Sequence, residues 1–357
     1  PFDTSPGQRF RIEQWDPHLR ARGIDITYSP FASPELTTLL SLPGHVGAKA
    51  LGVLRALTRR VAESRAAAKY DLLYVFREGA LAGPALAERL VLRSGLPMVF
   101  DFDDAVWIRY VSPSNSYLSY LRCPGKTATL SRLARHVLAG NDYLKSYAER
   151  FNSSVSVVPT TVDTKRFAPP AARPGQRPVI GWTGSFSTSR YLQLIKPALE
   201  RLRRSHDFRF VVVGGAGFHA EGVDVEDRPW RSATEVQDLL DFNIGVMPLP
   251  DTAWERGKCG LKALVYMALG IPAVASPVGV NSEIVKHGVN GLLASSLEEW
   301  ETALGSLLGD AELRRRLGQA GRATVESRYA TSIHAPRVAA IFEAAVSPRS
   351  EARGGEP

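Results

Sequence analysis

The chain has 357 residues, 44% hydrophobic and 22% charged, with a formal net charge of +8. That length holds two α/β domains with separate cores, and the composition is that of a folded globular protein. No apolar run reaches the ~18 residues of a membrane-spanning helix, and two cysteines, Cys123 and Cys259, without metal-ligand spacing exclude a disulfide framework or a zinc site.

The two thiols fit a reducing cytoplasm. The excess of positive charge points to anionic partners: nucleotide diphosphates, anionic lipid surfaces or nucleic acid. Nucleic acid ranks last, because neither a zinc-finger spacing nor an RNA-binding aromatic motif is present.

Strands and helices alternate along the chain, which predicts parallel sheets. In the first half, 71–76 (DLLYVF), 97–101 (PMVFD), 136–139 and 155–158 read as buried strands, with helices near 7–22, 46–68, 84–93, 117–135 and 143–151. The second half repeats the pattern, with strands at 179–183, 208–213, 242–247 and 273–275 and helices near 189–204, 234–241, 258–269 and 281–286. A last helix near 332–345 precedes a polar tail. Four prolines and a glycine in 167–178 mark a connection between the halves.

The 46–69 helix carries Val46, Ala50, Val53, Leu54, Leu57 and Val61 on one face and Lys49, Arg55, Arg59, Arg60, Arg65 and Lys69 around the rest. It reads either as a basic amphipathic helix resting on anionic headgroups or as a core helix with a solvated basic face.

The most informative stretch is 257–291, GKCGLKALVYMALGIPAVASPVGVNSEIVKHGVNG. Apolar residues at helical spacing end at Gly270, and Pro272 blocks continuation. A short buried strand and a turn at 277–279 follow, and Asn281 is expected to cap the next helix through its amide. Such a unit turns a Gly-rich loop and a helix start toward the carboxyl edge of a parallel sheet, where phosphate-bearing ligands bind.

The succession Met267, Ala268, Gly270, Pro272, Val274, Ala275, then Val278, Gly279, then Glu283, Ile284, Val285, then Gly288, Asn290, Gly291 resembles the donor-binding half of GT-B glycosyltransferases of family 4, glycosyl transferases group 1. The stretch Val158, Pro159, Val162, Asp163, Phe167 is similar to the segment that closes the first domain in that family. The resemblance implies two Rossmann-like domains facing each other across a cleft, with a C-terminal helix crossing back to the first. The expected division is 1–166 (acceptor domain), 167–178 (linker), 179–331 (donor domain), 332–346 (crossing helix) and 347–357 (disordered tail). Because the chain opens on Pro1 in a loop that a first strand should precede, a preceding piece is expected as well.

By the same resemblance, the activity is sugar transfer from a nucleotide-diphosphate sugar to a glycan or lipid-linked acceptor, in polysaccharide biosynthesis. Retention and independence of metal and cofactor come with it; a cytoplasmic location is expected from the two thiols, and a membrane-peripheral one from the 46–69 helix. Such an enzyme must neutralise a departing diphosphate. Arg190, after the turn containing Gly184 and Ser185, and Lys258 and Lys262, at i and i+4 of one helix, are the candidate cations. Two cations at a helix start oppose its dipole, which favours an anion between them over two solvated lysines. Gly214 and the Gly279, Val280, Asn281, Glu283 segment complete the donor set by resemblance.

The chain departs from the family's Glu-x7-Glu, whose register falls on Gly257 and Val265, and carries a Lys-Cys-x-x-Lys pattern instead. Nearby Glu255 is out of register and reads as a surface-loop acid. On the first-domain side, Gly7, Arg9 and Arg11 form a cleft loop, and Asn141 either faces the cleft or caps the helix after it. Asp103 and Asp104 end a buried strand, where acids are costly unless paired or functional. They are expected as acceptor-binding or basic groups, or as a helix cap. The Asp101, Asp103 spacing also matches the metal motif of the GT-A fold, but the second half argues against that fold. A nucleotide-sugar epimerase and a non-catalytic GT-B scaffold are the alternative functions.

Overall fold

The computed structural model describes residues 2–4, 6–42, 44–81, 83–109, 123–170 and 177–347. Half of the predicted connection, the first residues of the predicted 117–135 helix and nearly all of the predicted tail lie outside the described residues.

Two all-parallel sheets form the scaffold. The first has strands β1 (Leu73–Phe76), β2 (Met98–Phe102), β3 (His136–Ala139) and β4 (Val155–Val157), in the order β1-β2-β3-β4. In β2, side chains alternate between two cores. Phe100 and Phe102 pack with Leu130, Leu144 and Ala148 on one face; Val99 packs with Trp15 and Leu19 on the other.

The second sheet has β5 (Val179–Thr183), β6 (Arg209–Val213), β7 (Asp224–Arg228), β8 (Ile244–Met247), β9 (Ala273–Ala275) and β10 (Leu292–Leu293), in the order β10-β9-β8-β5-β6-β7. Its central strands are apolar throughout, as burial on both faces demands. Ile180, Trp182, Phe210 and Val212 face the helices Lys196–Leu202 and Leu297–Gly309. Val179, Val211 and Ala273 face the helix Leu261–Ala268. The sequence of helix Leu297–Gly309 fixes its start by a capping box between Ser296 and Glu299.

The chain passes between the lobes twice. Beside the first passage, Val162 pairs with Ala330 just before the helix Thr331–Val346. That helix then crosses back and lays Ala335, Val338, Ala339 and Phe342 on the first sheet.

Two local departures matter for the site. The expected continuous helix over 7–22 is broken: Arg9–Glu13 is a π-turn with Arg11 at φ −114° and ψ −108°, followed by helix Gln14–Arg20. The expected 258–269 helix starts only at Leu261, because Gly260 adopts φ +70° and Lys258 is extended. Lys258 and Lys262 therefore do not share one helical face.

Helix Val46–Arg65 also divides its expected apolar face. Val53 and Leu57 pack inward beside the buried Ala56, while Val46 and Leu54 stay 58% and 57% exposed. Three of its cations serve the lobe: Lys49 donates to the Leu42 carbonyl, Arg59 to Phe31 and Arg60 to Gly79.

Candidate active site

The order of the second sheet reverses between β5 and β8, and their carboxyl ends open a crevice where α/β sheets bind ligands. A cavity of about 450 Å³ lies there between the lobes. The second lobe contributes Ser185, Ser187, Thr188 and Tyr191 after β5 and Trp254 and Lys258 after β8; the first lobe faces them with Gln8, Arg77, Asp104 and Arg109.

Lys262 projects from the first turn of helix Leu261–Ala268 toward the end of β5. Its ammonium sits 5.4 Å from the Trp182 ring centroid, and a Cβ on Gly184 would meet its Cε at 2.8 Å. Burial, and then the charge of Lys258, push the Lys262 ammonium down to about 7, with Asp104 opposing. Lys258 lies 3.6 Å from Asp104. Gly214, at φ +82°, brings its backbone against the Gly184 carbonyl, so these two turns close on each other. Ser185 is exposed at the start of the short helix Phe186–Ser189.

Arg190 donates to the Tyr191 hydroxyl at 3.2 Å, and that hydroxyl bonds Glu255, which also accepts from Thr252. Glu255 is only 3% exposed, so it is no surface-loop acid. Burial is the main cause that pushes the Tyr191 hydroxyl up to about 12. A Glu255, Tyr191, Arg190 chain thus borders the crevice, and only a contact across 64 positions reveals it.

The missing acids have steric reasons. A Cβ on Gly257 would lie 2.7 Å from the Ala105 side chain and 2.8 Å from its nitrogen, which leaves no room for a glutamate. Val265 is buried in the second lobe's core.

Across the crevice, Asp103 and Asp104 each take a 2.6 Å bond from the Arg77 guanidinium. Burial opposes ionisation of Asp103, but Arg77 outweighs it and holds the carboxyl below its usual range. Arg77, which the sequence reading passed over, sits at φ +57° at the end of β1 and underlies Gly7. Asp101 is bound instead by Arg11, so the Asp101, Asp103 pair does not converge on one point.

Arg9 and Arg11 do not enter the cavity. Arg9 is buried between Asp3 and Glu235 at 2.7 and 2.6 Å, tying the lobes together, and Arg11 is fully buried against Asp101 and the Val158 carbonyl. The π-turn aims them inward.

Asn141 caps its helix and reaches the other lobe, but it lines a second cavity rather than the crevice. Its oxygen caps helix Asp142–Ala148 by accepting from Leu144 N at 2.9 Å, and its Nδ2 reaches the Gly257 and Lys258 carbonyls at 3.2 Å. Beside it, the Cys259 thiol donates to the Asp103 carbonyl at 3.2 Å. Together these form a clasp between the lobes. Asn281 does not cap through its side chain; its Nδ2 donates to the Ser276 carbonyl at 3.1 Å, and Val280 takes the N-cap position of helix Asn281–Ile284. Gly279, at φ +54°, lies against the Arg256 backbone, while Val280 and Glu283 line a second cavity rather than the crevice.

Residues 177–310 match the family model described as Glycosyl transferases group 1. Over 195 residues the chain is 31% identical to D-inositol 3-phosphate glycosyltransferase of Nocardia farcinica, covering 46% of this chain and 42% of that protein. Over 80 residues it is 30% identical to spore coat protein SA of Bacillus subtilis, covering 22% and 21%. The chain thus spans less than half the length of these relatives.

Among solved structures, sucrose-phosphate synthase from Thermosynechococcus elongatus superposes with a TM-score of 0.62 at 17% identity, covering 81% of this chain and 78% of that one. Anabaena HepE in complex with UDP gives 0.60 at 17% identity, covering 83% and 84%. A glycosyltransferase from Rickettsia africae gives 0.62 at 14% identity, covering 96% of each. The fold is GT-B: two Rossmann-like lobes with a crossing C-terminal helix.

Proposed function

We propose that the protein transfers a sugar from a nucleotide-diphosphate donor to an acceptor held by the first lobe. One observation carries the reading: Lys262 lays its ammonium 5.4 Å from the Trp182 ring centroid, with Lys258 close enough to oppose its charge, at the switch point of the sheet within the stretch that matches the glycosyltransferase family. A lysine driven down to about 7 gains its full charge when an anion arrives.

The donor diphosphate lies against Lys262, Lys258 and the backbone N–H groups that open helix Leu261–Ala268, with Arg190 reaching it beside Tyr191. Gly184, Ser185 and Gly214 shape the floor. As the glycosidic bond breaks, charge grows on the diphosphate, and these cations stabilise it without a metal. The diphosphate and the acceptor stay on one face of the sugar, so the configuration is retained. Asp103 and Asp104 orient Arg77 and Lys258 and meet the acceptor's hydroxyl groups. With its basicity lowered by Arg77, Asp103 orients rather than abstracts a proton. The segment Gly279, Val280, Asn281, Glu283 supports the donor loop from behind. Residues 1–166 and 179–331 act as acceptor and donor halves around the 167–178 connection.

The acceptor is a glycan or a lipid-linked glycan. The exposed Val46, Leu51, Leu54 and Val61, next to Arg55 and Arg65, support docking of helix Val46–Arg65 on an anionic membrane. Sedimentation with and without phosphatidylserine vesicles, comparing wild type with L54E, tests that part.

The activity is tested by a thermal-shift screen of nucleotides and nucleotide sugars, then by product analysis with stabilising donors in the presence of EDTA. Transfer or donor hydrolysis supports the reading. Epimer formation, or partner binding without turnover, replaces it with one of the alternatives. Absence of any stabilising nucleotide removes its foundation.

A further inference from the structure

We infer that the protein has a second anion site, separate from the crevice, that takes a small ligand bearing a phosphomonoester. A cavity of about 400 Å³ opens between β4, the turn after β9 and the start of the crossing helix. Its charged wall consists of Lys145, Arg328 and Arg337 against Asp142 and Glu283, with His334 between them. It shares no lining residue with the crevice. The clasp stands between the two, since Asn141 lines this cavity while the Lys258 it holds lines the other.

Neither Arg328 nor Arg337 is ion-paired with a carboxylate among the described residues. Arg337 donates one guanidinium nitrogen to the Val157 carbonyl at 2.8 Å, and Arg328 lies over the Tyr329 ring at 5.6 Å. Two exposed guanidinium groups on one polar cavity suit the oxygens of a phosphate.

His334 supplies a second observation. Burial and the charge of Arg337 hold its imidazole down, hence neutral. Its Nε2 lies 2.8 Å from the Arg328 carbonyl, an acceptor, so Nε2 carries the proton and Nδ1 is the lone-pair side. That Nδ1 is buried without a partner. A turn of the ring toward the cavity lets a hydroxyl beside the phosphate supply the missing donor.

The reading stands apart from glycosyl transfer, because the ligand touches neither Lys258 nor Lys262. Calorimetric titration of the full chain with inorganic phosphate and glycerol 3-phosphate tests it, with and without saturating UDP. Saturable binding of both that persists with UDP present is expected, with glycerol 3-phosphate the tighter. R328Q/R337Q should weaken it by about tenfold or more while leaving UDP affinity unchanged. Should that variant not fold, R328Q alone, at an exposed position, serves with a smaller loss. Phosphatidic-acid vesicles form a second arm: binding only there assigns the phosphate to a lipid headgroup rather than a free metabolite. No saturable binding in either arm, displacement by UDP, or binding that survives removal of the arginines overturns the proposal.

Discussion

Replacing Lys262 by methionine separates the two faces of the donor-site proposal. The fall of the Lys262 ammonium from 10.5 to about 7 corresponds to about 5 kcal/mol against its charged form, at about 1.4 kcal/mol for each unit. The side chain keeps some solvent access, so the effective cost is roughly 1–3 kcal/mol. The folded state binds this proton less tightly than the unfolded state. The destabilisation is therefore complete below pH ~7 and fades as pH rises toward 10.5. Lys262→Met is expected to raise the melting temperature by about 3 °C or more at pH 6.5, and by less at pH 9.5. In the same protein, UDP affinity should drop about 10–100-fold, the worth of a hydrogen bond to a charged group. Scanning calorimetry at two pH values and titration with UDP read both effects. A variant that melts no higher at pH 6.5 and binds UDP as the wild type does would refute the reasoning.

Tyr191→Phe and Glu255→Ala should each weaken UDP binding, and the double variant no further, because each removes the one hydrogen bond they share; additive losses in calorimetric titration would count against the Glu255, Tyr191, Arg190 chain. Gly257→Glu, which introduces the family's acid, should lower the melting temperature and give no gain in activity over wild type, since Ala105 occupies the space. Asn141→Asp keeps the helix cap but sets a carboxylate against the Gly257 and Lys258 carbonyls, so small-angle scattering should report a larger radius of gyration than for wild type. Arg11→Met leaves Asp101 buried without its counter-charge and should cost about 3–5 kcal/mol by chemical denaturation, an effect that shrinks at low pH as Asp101 protonates.

The buried strands were legible because apolar runs bounded by turns permit little else. β7 escaped notice because Asp224, Glu226, Asp227 and Arg228 leave no apolar pattern, and β10 because it is two residues long. Helices Leu297–Gly309 and Ala311–Arg328 lie outside the expected elements although the Ser296–Glu299 capping box and the Asp310 cap are signals that the sequence carries. At the site, residue types were legible but directions were not. Lys258 lines the crevice while Lys262 lies against Trp182 and Gly184, and Gly260 separates the two by leaving the right-handed region. Arg9 and Arg11 are cations in the expected loop, yet the π-turn buries both. The burial of Glu255 depends on Tyr191, and the orientation of Asp103 and Asp104 on Arg77, contacts that local periodicity does not encode.

The two rims of the larger sheet differ from its middle in a way that bears on association. One rim is the charged β7; the other is β10, too short to pair with much. Neither presents a long apolar ladder to a passing chain, so strand-to-strand polymerisation is discouraged at both ends. A molecule guarded in this manner resists becoming a seed for fibres at high protein concentration.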